Sequence, residues 1–143
     1  MAENILNLMI TQHGFLESLF STFQIEIREG SEKSEASLSE FTWEMKKHFF
    51  VEEEIIFNFM SWKEPVIFEI INQLKKEHSI MIEMLVKMSE NLKTISGEDT
   101  ESFFKLLKSH RDIEEKNLYP RLDESLSGGQ KEQIINRINQ IKK

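Results

Sequence analysis

Apolar residues recur every three or four positions through long stretches of this chain, and short polar breaks separate the stretches, the pattern of amphipathic helices. The first stretch covers about residues 3–28, starting at Glu3, with Ile5, Leu8, Met9, Leu16, Leu19, Phe20 and Phe23 at helical spacing. Glu29-Gly30-Ser31 breaks it. The second is expected over about 32–61, with Leu38, Phe41, Met45, Phe49, Ile56 and Phe59 as its stripe. Trp62-Lys63-Glu64-Pro65 ends that helix, and Pro65 suits the first turn of the next. The third, over about 65–95, repeats Ile67, Ile70, Ile71, Leu74, Met81, Leu85 and Met88. Ser96-Gly97-Glu98-Asp99 reads as a loop, with Asp99 or Thr100 as the cap of a fourth helix reaching Leu118. Pro120 restricts Tyr119 and predicts an end or kink there. Beyond Ser127-Gly128-Gly129, Ile134, Ile138 and Ile141 share one face of a short helix over about 130–142. That helix either folds back to cover the bundle or binds a partner.

Four long helices with short connections predict an all-α fold, an antiparallel up-down-up-down four-helix bundle with a short additional C-terminal helix. The 143 residues fit a single domain over 1–143, the bundle occupying about 3–120. A net charge of −7 argues against a nucleic-acid partner, which calls for a cationic face. No run approaches the ~18–20 apolar residues a membrane span requires, and the acidic start does not resemble a signal peptide. The absence of Cys removes disulfides, thiolate zinc sites, iron–sulfur clusters and a cysteine nucleophile, and fits a reducing compartment. These readings together predict a cytoplasmic protein. No phosphate-binding loop, dinucleotide fingerprint or nucleophile elbow is present in the sequence.

The four histidines, His13, His48, His78 and His110, each fall near the middle of a different predicted long helix. In an antiparallel hairpin, residues equidistant from the turn lie at one height. The midpoint of His13 and His48 falls between Gly30 and Ser31; that of His48 and His78 falls at Lys63; that of His78 and His110 falls at Thr94, two to three residues short of the Ser96-Gly97 loop, a mismatch of only about one turn of helix. Four imidazoles therefore share one layer. His48 and His110 each have a glutamate four residues on, Glu52 and Glu114, on the same helix face and roughly 6 Å along the axis. Helices two and four run in the same direction, so both carboxylates drop to the same side of the histidine layer. Neutral imidazole and carboxylate suit divalent iron, manganese or zinc. Glu17 also follows a histidine by four residues, but its helix runs the other way, so it points away from the carboxylate layer. The segments from His48 to Phe57 and from His110 to Tyr119 both read H-x-x-(V/I)-E-E-x-x-(I/L)-(F/Y), suggesting two half-sites about a pseudo-two-fold axis.

With His48-x-x-x-Glu52-Glu53 and His110-x-x-x-Glu114-Glu115-x-x-Leu118-Tyr119-Pro120, the chain resembles the hemerythrin-like, or HHE cation-binding, family over about residues 5–122. The resemblance implies a non-haem di-iron centre in a four-helix bundle, with His13, His48, His78 and His110 as terminal ligands and Glu52 and Glu114 as bridges. Oxygen-carrying members have a further histidine one turn before the third-helix ligand; here that position is Leu74. The set of four histidines and two glutamates is closer to members associated with iron-centre repair and nitric oxide stress. Two six-coordinate irons sharing both carboxylates and an oxo or hydroxo bridge would keep two positions open, unless Glu53, Glu77 or Tyr119 moves in. The expected small ligands are O2 or NO, bound for sensing, storage or scavenging. The alternatives are iron-centre repair, NO reduction or peroxide decomposition, or a metal-free interaction bundle. Leu74, Met81 and Ile113 are expected to flank the metals, and Glu53, Glu77 and Glu115 are candidate partners for the outward ring nitrogens. The sequence leaves the oligomeric state open.

Overall fold

The computed structural model describes residues 4–59 and 64–141. Among them, α1 spans Ile5–Glu29, α2 Ser34–Phe50, α3 Pro65–Glu90, α4 Gly97–Ile113, α5 Tyr119–Ser125 and α6 Gly128–Ile141. Helix α2 continues into a π-helical stretch, Val51–Ile56, and a 3-10 turn, Phe57–Phe59. Helix α4 likewise continues into a π-helical stretch, Glu114–Leu118. Each of α1 and α3 packs against both α2 and α4, which closes the four long helices into a ring. The fold is all-α, as expected. Glu3, Trp62 and Lys63 of the Trp62–Pro65 connection, the last residues predicted for helix two and Lys142 lie outside the described residues.

Local chemistry accounts for the boundaries. Asn4 caps α1 by accepting from the Asn7 N–H at 2.7 Å. The helix closes at Gly30, whose φ of 67° is the left-handed conformation that glycine adopts without strain. The Ser31 N–H returns to the Glu26 carbonyl at 2.9 Å, completing the closure. Pro65 stands in the first turn of α3, where its missing N–H is no loss.

Two boundaries differ from expectation and a third falls where expected. Helix α3 stops at Glu90 rather than near Ile95, because the Asn91 side chain donates to the Lys87 carbonyl and competes with the backbone ladder. The cap of α4 is Ser96, not Asp99 or Thr100. The Ser96 hydroxyl accepts from the Asp99 N–H, and the Asp99 carboxylate accepts from the Ser96 N–H, a reciprocal capping box. The expected break before Pro120 is present: the π-helical stretch ends at Leu118 and α5 starts at Tyr119, with the proline in its first turn. The preceding π-helical stretch has already broken the i→i−4 ladder, so the proline displaces little.

The apolar stripes form two clusters rather than one. The first gathers Ile5, Met9, Val51, Ile55, Ile56 and Phe57 with Ile67, Ile71, Leu74, Leu118, Tyr119 and Leu122. The second gathers Leu16, Phe20, Phe23, Leu38, Phe41, Met45 and Phe49 with Met81, Leu85, Phe103 and Leu107. In every long helix the histidine falls at the boundary between them. Helix α6 folds back over the first cluster and buries Ile134 and Ile138 in it, the first of the two roles considered for that segment. Leu74 is fully buried in the first cluster and Met81 in the second, whereas Ile113 is only partly buried.

Candidate metal centre

Every long helix delivers one imidazole to the layer between the two apolar clusters. His13, His48, His78 and His110 are at most 5% exposed, and Glu52 and Glu114 are fully buried. All six predicted residues come together. They form two groups of four, His13–His48–Glu52–Glu114 and Glu52–His78–His110–Glu114, each with ligand atoms within 4.8 Å of one another. The two glutamates belong to both groups. The common height deduced from the turns is therefore the height observed.

The imidazoles are all oriented the same way, with Nε2 inward and Nδ1 outward. His13 Nε2 lies 3.1 Å from Glu114 Oε1 and His110 Nε2 lies 3.3 Å from Glu114 Oε2. Glu114 thus offers one oxygen to each group. Glu52 differs: its Oε1 stands 3.5 Å from His48 Nε2 and 3.1 Å from His78 Nε2, while its Oε2 accepts a short hydrogen bond from the Tyr119 hydroxyl.

Outward, each Nδ1 meets an acceptor that fixes the ring and its tautomer. His13 donates to Glu115 at 2.7 Å, His78 to Glu53 at 2.6 Å and His110 to Glu77 at 2.7 Å. These are the three glutamates singled out as candidates, now each assigned to one ring. The fourth partner, Gln12, accepts from His48 at 2.9 Å and was not anticipated. Its position was the available signal, since Gln12 precedes His13 as Glu77 precedes His78. Glu17 stays outside the cluster, held by Arg111 at 2.6 Å.

Both glutamates sit where the chain leaves α-helical geometry. The Phe57 N–H bonds to the Glu52 carbonyl and the Tyr119 N–H to the Glu114 carbonyl, an i→i−5 bond in each half. Such π-helical insertions are frequent at functional sites because they re-aim side chains within an otherwise regular helix. The internal repeat read from the sequence is thus repeated in the backbone.

Two buried carboxylates in an apolar bundle are costly unless a cation neutralises them. In the chain alone only protons can do so, and they reside on the imidazoles. Burial pulls His13 down, but the close approach and charge of Glu114 and the charge of Glu52 outweigh it and raise it to about 9. His110 is likewise opposed by burial and carried up to about 10 by Glu114, Glu77 and Glu52. His78 is also raised: burial opposes this, and Glu52 prevails. His48 goes the other way, to about 3, because burial and the charges on the other three rings outweigh Glu52. Burial disfavours the Glu114 carboxylate, yet the charge of His110 and the close contacts with His110 and His13 hold it well below the usual range. The Tyr119 hydroxyl is pushed up, first by burial and then by the two glutamates, so it remains a donor.

Hydrogen bonding leaves a remainder at the centre. His13 Nε2, Glu52 Oε1 and both Glu114 oxygens are buried without a hydrogen-bond partner, and His78 Nε2 faces His110 Nε2 at 3.1 Å. With each Nδ1–H committed outward, a ring that gives up its second proton presents its Nε2 lone pair to the centre. A divalent cation in each group of four fits these atoms in number, type and direction.

Fold and site together define a cation-binding four-helix bundle. The sequence model of the hemerythrin HHE cation binding domain matches residues 4–122, and the chain belongs to that family. No curated protein and no solved structure matches the chain significantly. Among the described residues, no helix is long and apolar enough to cross a membrane.

Proposed function

We propose that this chain, read as one domain over 1–143, holds two iron ions and that the loaded centre binds O2 or NO for sensing, storage or scavenging. The observation that carries this reading is the sharing of Glu52 and Glu114 between two four-residue groups. His13 and His48 would serve one ion, His78 and His110 the other, and the two glutamates would span both. A bound iron pair supplies open coordination positions and redox chemistry that no side chain in this chain offers.

The protein's own part is to orient, to dry and to admit. Glu53, Glu77, Glu115 and Gln12 hold the rings with their lone pairs inward. The apolar clusters above and below exclude water, which strengthens every charge interaction between them. A pocket of about 460 Å³ lined by Gln12, Phe15, Leu16, Val51 and Ile138 reaches His48 from the surface. Its wall is mainly apolar, with Glu44 and Lys47 also in it, and suits entry of a small uncharged molecule such as O2 or NO.

A second reading, redox or iron-handling work such as iron-centre repair, NO reduction or peroxide decomposition, draws support from Tyr119. Its hydroxyl is a buried proton donor held on Glu52 Oε2, inside the ligand cluster. Reduction of NO or of peroxide consumes protons, and this donor stands inside the cluster. Anaerobic iron reconstitution followed by optical titration with O2 and with NO tests both readings. Reversible, saturable spectral changes with either gas support binding; catalytic loss of NO or peroxide supports the second reading. A spectrum indifferent to all three contradicts both.

A further inference from the structure

The two halves of the centre are related by a pseudo-two-fold axis that exchanges α1 with α3 and α2 with α4. Under that exchange the outward contacts match: His13 with Glu115 corresponds to His78 with Glu53, and both acceptors are carboxylates. The remaining pair does not match. His110 donates to the Glu77 carboxylate, whereas His48, its counterpart, donates to the neutral amide oxygen of Gln12. The half built on His78 and His110 therefore has two anionic outer partners, and the half built on His13 and His48 has one.

This difference bears on metal affinity. An imidazole whose Nδ1–H is held by a carboxylate gains negative character and becomes a more basic ligand through Nε2. An amide oxygen polarises the ring far less. Access does not separate the halves. A pocket of about 460 Å³ has Gln12 and His48 in its wall, and another of about 540 Å³ has Glu53 and His78 in its wall. The difference between the halves therefore lies in the outer partners alone.

We infer that Gln12 makes the His13–His48 half the weaker of two unequal metal subsites, the one filled second and emptied first. The inference rests on the two-ion reading of the centre. Gln12 touches no metal in it; it is a positioning residue acting through His48.

Cobalt(II) is the probe. It is titrated into the metal-free protein against a competing chelator and followed by visible absorption, in the wild type, Gln12→Glu and Glu77→Gln. The expected wild-type result is two ions taken up in two resolved steps. Gln12→Glu should tighten the second step by about tenfold or more and move the first by at most twofold. Glu77→Gln should weaken the first step by a similar factor, which keeps the test intact if one variant folds poorly. Mutual repulsion between two ions in equal halves would also separate the steps. In that case Gln12→Glu would strengthen chiefly the first step, and the inference is overturned. An unmoved second step overturns it too, while uptake of two ions leaves the two-ion reading standing. Uptake of fewer than two ions by the wild type removes that reading and the inference with it.

Discussion

Phe57 and Tyr119 hold equivalent places in the two halves of the bundle. Each donates its backbone N–H to the glutamate five residues before it, and each ring lies about parallel to a histidine, Phe57 to His78 and Tyr119 to His13, with centroids 6.2 Å apart in both pairs. One oxygen separates them: the Tyr119 hydroxyl on Glu52. Removing it should release Glu52 Oε2 toward the centre.

Tyr119→Phe is accordingly expected to destabilise the metal-free protein by about 1–3 kcal/mol, since a buried carboxylate oxygen loses its donor. In the iron-loaded protein the freed oxygen can turn to the cation, so the loss should shrink and the visible spectrum should shift. Denaturant titrations of both forms, with absorption spectra, check the pair of effects.

The outer carboxylates should matter for metal and little for fold. Glu115→Gln and Glu53→Gln keep the hydrogen bond to His13 and His78 but remove its charge, and each is expected to cost about 10–100-fold in metal affinity. Helix content should be unchanged, because both side chains lie at the edge of the bundle. Competitive metal titration beside far-ultraviolet circular dichroism makes the comparison.

Metal should stabilise the folded chain strongly. The centre confines two carboxylates and four imidazoles between apolar layers, and a cation that binds only the folded state adds about 2.7 kcal/mol for each ion at a hundred times its Kd. A thermal melt with and without metal should show a clear rise in Tm. Gly30→Ala is the matched control: it strains the closing turn of α1 by about 1–2 kcal/mol at a φ of 67°. It should lower Tm in both forms and leave the metal-dependent rise intact.

Leu74 stands one turn before His78 on the carboxylate side of the layer, fully buried. Leu74→His places a fifth imidazole there. The metal-free variant should lose about 2–5 kcal/mol, as for other disruptive changes at a buried Leu. The iron-loaded variant should recover part of that and show altered visible absorption. An unchanged spectrum would mean that position 74 does not face the metals.

Much of this was legible in the sequence, and the failures have physical causes. The helices and the common height of His13, His48, His78 and His110 followed from apolar periodicity and from the positions of the turns. Periodicity is blind to hydrogen-bond pattern, however. The π-helical stretches after Phe50 and Ile113 add a single residue to a turn, and an apolar stripe absorbs that shift. Asp99 was an attractive cap by residue type, but the reciprocal bonds of a capping box place it three residues inside, with Ser96 outside. Gln12 gives no such signal, because an amide carries no charge and is a poor metal ligand. Only its correspondence to Glu77 across the internal repeat marks it.

The most direct test is the count of iron bound per chain after anaerobic reconstitution, in the wild type and in Glu114→Ala. Glu114 presents one oxygen to each half of the centre. Two irons per wild-type chain, falling below two in Glu114→Ala with the helices preserved, is the predicted result. A wild-type chain that holds no iron, or a variant that still holds two, would contradict the account.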